Sequence, residues 1–434
     1  MSNITSNTKG YYDHCDIYLD NAATTQIDSE AMKDIVYALE IYYNPSSAHR
    51  YGMEAKRIIE RARDNVRRFL GADRKSQIIF TSSGTEANNL AIQGFFNNHM
   101  DATDFLCPPT EHPSIRKIAD YYEEENLFRV HWLRNDYAKG CLDLDNLEVM
   151  LDEIRQTWNK SSGEMLVSCM MANNETGTLN DIQKITEICH SKCNVFIHTD
   201  LTQAIGHVEP INIRKLGVDM ASFSGHKLGL PKGIGVLYVK DGVNIGSLMF
   251  GGNQEDGLRP GTENLPYIYA LGNRVEEIKR LDSYGKYYHD EGMSIFPRDK
   301  EKTIRDYFEY ALLRDEEILK LCPQIRINYK GEEFNRLPNI SSVTFAGFDA
   351  RKIQTGLGER GICVSVGSAC SNYRNKPSRT LLNLGFSASE ADSTVRFSFN
   401  DQVRLGQIDM VIKELGVLLK FLCDHINDNN MVFL

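Results

Sequence analysis

The sequence predicts an α/β protein in which a large unit with a mostly parallel sheet is followed by a smaller α+β unit. Apolar stretches of strand length alternate with amphipathic helical patterns through the first 280 residues, as in successive βα units. A charged segment at 281–304 separates this part from a second series of strand and helix patterns. The chain has 434 residues, of which 41% are hydrophobic, so it can form two domains with cores of their own.

Four segments are expected along the chain. Residues 1–70 contain helical patterns at 29–43 and 53–70 and form an N-terminal segment that we expect to pack with the small domain. Three further segments follow: the large α/β domain at 71–280, a charged connection at 281–304, and the small C-terminal α+β domain at 305–434. Open α/β sheets bind ligands beyond the carboxyl ends of their strands, so a site is expected in the large domain.

Individual elements follow from the hydrophobic periodicity. In the large domain, strands are predicted at 77–81, 165–171, 195–198, 220–222 and 234–239, and helices at 85–96, 113–124, 145–158 and 181–192. In the small domain, the pattern predicts strands at 341–345, 362–366 and 395–399 and helices at 350–358, near Arg379 and at 405–421.

Charge and cysteine content narrow the class of protein. The 49 Lys and Arg residues are outnumbered by 59 Asp and Glu residues, and a net charge of −10 disfavours nucleic acid as the main partner. No stretch approaches the roughly 18 apolar residues of a membrane helix, and the N-terminus has no secretion signal, so we expect a cytoplasmic protein without a membrane partner. The 10 cysteines are too dilute for a disulfide framework and lack zinc-site spacing, so we predict reduced thiols and no metal site.

The segment 222–227, Ser-Phe-Ser-Gly-His-Lys, follows a predicted strand and leads into a glycine-rich stretch. A lysine held in a pocket at such a strand exit can be kept as the neutral amine that forms a Schiff base. Taken alone, Lys227 fits a solvated loop lysine better, because most lysines lie at the surface.

Two other segments support a site at this edge of the sheet. Gly84 and Thr85 follow a strand and open a helix, which suits a phosphate group, although the same residues fit an ordinary N-cap. Asp200 ends a buried strand, where a carboxylate can pair with a protonated ring nitrogen, although Asp is also a common N-cap residue. With Lys227 they supply the anchor, the ring partner and the amine that pyridoxal 5′-phosphate (PLP) requires.

On these and further motifs the sequence resembles the cysteine desulfurases, which belong to the aminotransferase class V family of PLP enzymes with the fold-type I architecture. The resemblance runs from Ile17 to about Phe421 and implies a large PLP-binding domain of the seven-stranded type with a smaller α+β domain. The motifs are YLDNAATT at 18–25, NPSS at 44–47, TEH at 110–112, NNETG at 173–177, SGHK at 224–227, RPGTEN at 259–264, GSACS at 367–371 and VRFS at 395–398.

The resemblance also implies a role for each site residue, first around the cofactor ring. Lys227 binds PLP through a Schiff base and moves protons, His112 stacks on the pyridine ring and assists acid–base steps, Asp200 keeps the ring nitrogen protonated, and Gln203 bonds the phenolic oxygen. The remaining roles concern the phosphate and the substrate: Gly84, Thr85, Ser224 and His226 form the phosphate cradle, Thr262 reaches the phosphate bound by the partner subunit of a homodimer, Asn174 contacts the cofactor, and Asn174 and Arg396 bind the substrate carboxylate.

Cys370 lies in a small-residue loop at 367–372 that follows a predicted strand. A free cysteine is usually buried, but burial needs apolar neighbours, and this loop offers Ser, Gly and Asn. The resemblance implies that the Cys370 thiolate attacks the sulfur of bound L-cysteine, leaving a persulfide on the enzyme and releasing L-alanine. The loop spacing fits the long-loop branch, so the expected sulfur acceptor is a protein of iron–sulfur cluster assembly or tRNA thiolation.

The sequence departs from the family pattern after this loop, where Arg374, Lys376 and Arg379 make a basic stretch. We hypothesise that this stretch selects an acidic acceptor or an atypical partner. Two alternatives to a desulfurase are a selenocysteine lyase or other class V enzyme that does not depend on Cys370, and a binding protein that keeps the fold without the activity. A protein that only binds partners has no chemical need for the complete set of site residues, which argues against the second alternative.

Overall fold

The structure is a computed structural model that describes residues 17–99, 101–158, 163–284, 288–289, 292–293, 297–331, 335–367 and 376–425. Its strands are β1 (Ile17–Tyr18), β2 (Gln77–Thr81), β3 (Ala102–Cys107), β4 (Arg129–Trp132), β5 (Asn135–Asp136), β6 (Cys141–Leu142), β7 (Glu164–Ser168), β8 (Val195–Asp200), β9 (Met220–Ser224), β10 (Gly235–Val239), β11 (Tyr288–His289), β12 (Gly292–Met293), β13 (Arg326–Ile327), β14 (Ile340–Thr344), β15 (Ile362–Cys363) and β16 (Thr394–Ser398). Its α-helices are α1 (Ser29–Leu39), α2 (Arg50–Phe69), α3 (Gly84–Asn98), α4 (Pro113–Glu124), α5 (Leu144–Thr157), α6 (Ile182–His190), α7 (Ile213–Leu216), α8 (Leu265–Tyr284), α9 (Pro297–Leu312), α10 (Glu316–Leu321), α11 (Ala350–Gly358), α12 (Arg379–Asn383), α13 (Ala388–Asp392) and α14 (Leu405–Asp424).

A seven-stranded sheet forms the centre of the large domain, in the order β2-β10-β9-β8-β7-β3-β4. Neighbouring strands are parallel except at β10, which runs antiparallel to both β2 and β9. The predicted fold class, α/β with a mostly parallel sheet of the seven-stranded type, is therefore confirmed. Because β2, β3, β7, β8 and β9 run in the same direction, the residues that follow them meet at one edge of the sheet.

Helices cover both faces of this sheet, which explains why its strands read as continuous apolar runs. On β2, Ile78 joins the core cluster that contains residues of α5, α6 and α8, whereas Ile79 joins the cluster on the opposite face. That second cluster includes Leu90 of α3 and Ile115 of α4. The alternation of successive side chains between two buried faces fixes the register of the strand.

The helices of the N-terminal segment correct one expectation. We expected residues 1–70 to pack with the small domain, but α1 and α2 pack against α8 and contribute to the core of the large domain. The helices α2 and α8 are in close contact. A Cβ added at Gly272 of α8 would come within 2.6 Å of Ala62 on the apolar stripe of α2. The sequence identifies such a stripe but not the element that covers it.

The small domain contains a three-stranded antiparallel sheet, β13-β14-β16, and a separate parallel pair formed by β1 and β15. Its core cluster includes Phe308 of α9, Leu357 of α11 and Leu415 of α14, as well as Ile17 and Leu19 from the start of the described chain. Thus the N-terminal segment divides between the two domains: β1 belongs to the small domain and the two helices to the large one.

Part of the predicted charged connection at 281–304 is helical. The helix α8 continues to Tyr284, and α9 already begins at Pro297, so residues 297–304 of the predicted connection are helical. Across the described residues, none of the helices combines the length and the apolar character that a membrane span requires.

Candidate functional site

A cavity of about 300 Å³ lies where the parallel strands of the large sheet end. The predicted site residues that line it are Gly84, Thr85, His112, Asn174, Asp200, Gln203, Ser224, His226, Lys227 and Arg396. Arg396 lies on β16, so the small domain closes one side of a site that the large domain mostly builds. The structure therefore brings together residues that are far apart in the sequence.

Two predicted residues are not part of this cavity. Thr262 is exposed, in the segment between a 3-10 turn at Gln254–Gly257 and α8, and it does not line the cavity of its own chain. Its contact with a partner subunit stays a prediction. Cys370 lies outside the described residues, as does Arg374 of the basic stretch.

Lys227 ends a short 3-10 turn, Gly225–Lys227, that follows β9. The turn is tied to the start of β10, because the Gly225 N–H donates to the carbonyl of Ile234 at 3.0 Å. The Lys227 side chain is buried, and its Nζ donates to the carbonyl oxygens of Ala22 and, at 2.6 Å, Ala23. An amine held in a buried position by two carbonyls is oriented toward the cavity rather than dispersed in solvent.

The acceptors of Lys227 are themselves held by the small domain. The N–H of Ala22 donates to Ser398 Oγ at 2.9 Å, and Asn21 Nδ2 donates to the Ser398 carbonyl at the same distance. Gln203 Nε2 also donates to the Ala22 carbonyl, at 3.0 Å. The position of β16 therefore determines where the Lys227 amine and the Gln203 amide are placed.

The Asp200 carboxylate is buried at the end of β8 and receives two hydrogen bonds. The N–H of Thr202 donates to Oδ1 and Asn88 Nδ2 donates to Oδ2, both at 2.8 Å. These two hydrogen bonds hold the carboxylate in a fixed orientation where it lines the cavity.

His112 caps the N-terminus of α4, where its Nδ1 accepts the N–H of Ser114 at 3.2 Å. The Ser114 hydroxyl lies 2.7 Å from the same Nδ1 and accepts a hydrogen bond from Asn88 Nδ2 at 2.8 Å. The hydroxyl proton therefore points to Nδ1, and the proton of the neutral imidazole is assigned to Nε2. Burial lowers the pKa of His112, so the ring is neutral at neutral pH.

The N-terminus of α3 opens into the cavity at Gly84 and Thr85. Ser83 caps this helix by accepting the N–H of Glu86 at 3.1 Å, and a Cβ at Gly84 would come within 3.2 Å of Ser224. Backbone N–H groups at such an end carry positive partial charge and suit an anion. Burial and the nearby Lys227 lower the pKa of His226 to about 4, so that side chain serves as a neutral hydrogen-bonding group.

Arg396 is buried and makes two strong contacts. One terminal nitrogen donates to Asp20 Oδ1 at 2.7 Å and the other to the carbonyl of Asn174 at 2.6 Å. Its Nε is buried and has no hydrogen-bond partner among the described residues. An unsatisfied guanidinium N–H beside a cavity is a ready donor for a carboxylate ligand.

The segment that begins at Lys376, after the predicted cysteine loop, is anchored to the large domain. Ser378 caps α12 and donates to Glu175 Oε2 at 2.5 Å. Arg379 lies 3.5 Å from Asp120 and above the ring of Trp132. Arg379 is thus partly engaged within the chain, and it is exposed, as is Lys376 of the same hypothesised basic stretch.

Residues 17–411 match the family model described as aminotransferase class V. The chain belongs to this family. Its relatives include a cysteine desulfurase of Trichormus azollae, 35% identical over 406 residues that span 93% of each chain, and the cysteine desulfurase NifS of Azotobacter vinelandii, 34% identical over 92% of each chain. Among solved structures, a NifS-like protein from Rickettsia africae has a TM-score of 0.78 at 31% identity and covers 93% of this chain and 99% of its own.

Membership of the aminotransferase class V family confirms the resemblance to cysteine desulfurases and the fold-type I architecture. Sequence reasoning gave no role to three residues that hold the site. Asn88 and Ser114 line the cavity and contact Asp200 and His112, and Asp20 lies outside the cavity and contacts Arg396. Asp20 lies inside the quoted motif at 18–25, but the roles of Asn88 and Asp20 depend on contacts between separate elements.

Proposed function

We propose that this class V protein is a PLP-dependent cysteine desulfurase that converts L-cysteine to L-alanine and places the sulfur on Cys370. The observation that carries the proposal is that Lys227 from the turn after β9, Asp200 from the end of β8 and Arg396 from β16 line one cavity. Relatives named cysteine desulfurase, at 33–35% identity over about 93% of this chain, support L-cysteine as the substrate.

The residues of the cavity fit the cofactor. The α3 N-terminus with Ser224 and His226 would hold its phosphate, and the absence of a side chain at Gly84 leaves room for the approach. The Asp200 anion would keep the ring nitrogen protonated, with Gln203 at the phenolic oxygen. When bound, PLP supplies an electron sink that stabilises negative charge at the substrate Cα.

Two side chains would handle protons. Lys227 would carry the covalent attachment to the cofactor, and its amine, once released, lies where it can hold the proton that leaves the substrate Cα. The neutral His112 keeps its Nδ1 occupied by Ser114, so that its Nε2–H is the group left to donate or exchange a proton. Lys227 is buried and His112 is half-buried, which limits competing exchange with water.

Arg396 would bind the substrate carboxylate through its buried Nε–H, while Asp20 and the Asn174 carbonyl fix the guanidinium plane. Asn174 lines the same side of the cavity. A guanidinium already held in place loses little freedom when the substrate arrives, so the amino acid is held in one orientation within the cavity.

The sulfur step belongs to Cys370. Its thiolate attacks the sulfur of the bound substrate, an S–S bond forms, the substrate C–S bond breaks, and the substrate carbon takes up a proton to become L-alanine. The enzyme retains a persulfide, which an acceptor protein of iron–sulfur assembly or tRNA thiolation then removes. We also propose a homodimer in which Thr262 completes the phosphate site of the partner subunit.

The test is the release of alanine and sulfide from L-cysteine, in the presence of a reductant, by the wild-type protein and by Cys370→Ala. We expect equimolar products from the wild type and at least about 100-fold slower turnover for the variant, as when a nucleophile is removed. Cys363→Ala is the matched control, since this cysteine lies on β15 close to the same loop in sequence. Alanine formation that survives Cys370→Ala would contradict the proposal and favour the lyase alternative.

A further inference from the structure

His207 lies in the turn at 201–208 that follows β8, hereafter the β8 turn, which also carries Gln203. The ring is held on both sides by residues of the small domain. Its Nδ1 lies 2.9 Å from Glu301 Oε2 on α9, and its Nε2 lies 3.4 Å from the Asn339 side-chain amide next to β14. A large-domain histidine is thus clamped between two side chains of the other domain.

The Glu301 carboxylate indicates the charge of this ring. Both side chains are largely buried, and a buried carboxylate within hydrogen-bond distance of an imidazole favours the charged ring, so the 2.9 Å contact is interpreted as an ion pair. The Asn339 side-chain amide lies at the other ring nitrogen, with Nδ2 placed 3.4 Å from Nε2. The amide oxygen at that position would accept the Nε2–H of the charged ring.

Electrostatics agree with this assignment. Burial alone would lower the pKa of His207, but the Glu301 carboxylate more than offsets this, and the pKa is raised above its usual value. The other charged groups around the ring are Lys227 behind the cofactor cavity, Arg298 on α9 and Asp401 after β16. Lys227 and His207 line a second cavity of about 280 Å³ that lies on the far side of the lysine.

The contacts of His207 are connected to the cofactor site by hydrogen bonds. The Asn339 carbonyl accepts the N–H of Phe399 at 2.8 Å, and the preceding residue, Ser398, positions Ala22. The Ala22 carbonyl in turn receives both Lys227 and Gln203. The β8 turn is therefore fixed to the same strand end at two points, through Gln203 on one side and His207 on the other.

We propose that His207, as an imidazolium between Glu301 and Asn339, is a positioning residue that couples the small domain to the cofactor-binding turn. The inference rests on the proposed function, because its consequence is the placement of Gln203 and Lys227 against PLP. When the imidazolium loses its proton, the ion pair becomes a neutral hydrogen bond, and the tie through His207 is weaker than the one through Gln203.

The test measures the PLP dissociation constant of the purified protein by equilibrium dialysis, with His207→Gln, Glu301→Gln and the double variant. At neutral pH we expect each single variant to weaken PLP binding by about 5-fold or more, the usual lower range of coupling between sites, and the double variant to be no weaker than the singles. The ratio of variant to wild-type constants should fall toward one as pH rises through the raised pKa of His207. The matched control is His190→Gln, which breaks a 2.9 Å contact to Asp219 within the large domain and should leave PLP binding unchanged.

Hydrogen exchange separates this inference from the proposed function. In His207→Gln the β8 turn should exchange faster than in the wild type, whether or not PLP is present. A wild type that takes up no PLP would contradict the proposed function alone, and the exchange comparison would still decide the coupling. Unchanged exchange in the turn, or a variant ratio that does not respond to pH, would overturn the role of His207.

Discussion

At Asn88, one buried side-chain amide contacts three polar residues behind the proposed cofactor ring. Its Nδ2 donates to Asp200 and Ser114, and its Oδ1 accepts the hydroxyl of Ser222. Both N–H donors and the carbonyl oxygen of the amide are engaged, so the orientation of Asp200 and the tautomer of His112 depend on the same residue. A buried network of this kind is stable only while all its members are satisfied.

Replacing this amide should therefore damage binding and stability together. We expect Asn88→Ala to lower the free energy of unfolding by about 1–3 kcal/mol, because it leaves buried partners unsatisfied, and to weaken PLP binding by releasing Asp200. Urea denaturation and equilibrium dialysis measure the two effects. The control is Asn89→Ala on the same helix, whose Nδ2 donates to the Thr85 carbonyl and does not contact Asp200. Equal PLP affinity in the two variants would contradict this role.

The residues of the site could be predicted where a local motif carries them. Lys227, Asp200 and the α3 N-terminus each follow a strand in the sequence, and the sheet topology makes their meeting a necessary consequence. Asn88 could not be predicted, because a buried Asn on a helix has no function until β8 and α4 are placed beside it. The same holds for His207, whose partners lie about a hundred residues later in the chain.

Helices and strands also divide into those that a local sequence signal predicts and those that it does not. The helices α4 and α11 begin and end where the periodicity predicts, because Pro113 and Asp349 give clear starting signals. The strands β3 and β4 were not predicted. In β3 a buried aspartate, Asp104, interrupts the apolar run, and β4 is an edge strand with a polar sequence. The location of α1 and α2 was wrong, since their apolar stripes fit either domain.

Asp104 also shows how the edge of the sheet is held. Its buried carboxylate on β3 receives Arg129 and His131 of β4, each at 2.7 Å, and the indole N–H of Trp158 at 3.0 Å. Burial would raise the pKa of Asp104, but the hydrogen bonds, that from His131 foremost, hold it well below its usual range. The charged carboxylate is thus the group that ties the edge strand β4 to its neighbour.

This arrangement predicts a pH-dependent loss of stability in Asp104→Asn. At pH 7 we expect the variant to lose about 3 kcal/mol of unfolding free energy, because the Arg129 cation and the His131 and Trp158 N–H groups lose their buried, charged acceptor. A depressed pKa contributes stability above the unfolded value of about 4, so the difference from wild type should shrink as pH falls below it. Urea denaturation of variant and wild type over this pH range measures the difference in unfolding free energy. The control is Asp101→Asn, an exposed residue directly before β3, which should have no comparable effect on stability. If the stability difference between Asp104→Asn and wild type did not change with pH, the assignment would be refuted.

On the scale of the whole molecule, the site is shared between domains and, in our proposal, between subunits. Within the chain, Arg396 and the strand end at Ser398 bring the small domain to the cavity. At the surface, Phe250 is fully exposed and shares a segment with Thr262, the residue expected to reach the partner. An exposed aromatic side chain beside a predicted subunit contact favours burial by a second copy of this chain.

Mixed dimers test whether Thr262 acts across the subunit interface. Lys227→Ala removes the attachment of the cofactor, and Thr262→Glu places a negative charge toward the partner's phosphate, so each variant alone should be inactive. In a two-fold dimer each site combines Lys227 of one subunit with Thr262 of the other. Unfolding and refolding the two variants together should therefore restore about a quarter of the wild-type alanine production, since half of the dimers contain one intact site. The double variant mixed with wild type is the control, because its mixed dimers contain no intact site. If Thr262 acted within its own subunit, the first mixture would stay inactive and the second would gain active mixed dimers, which is the opposite result.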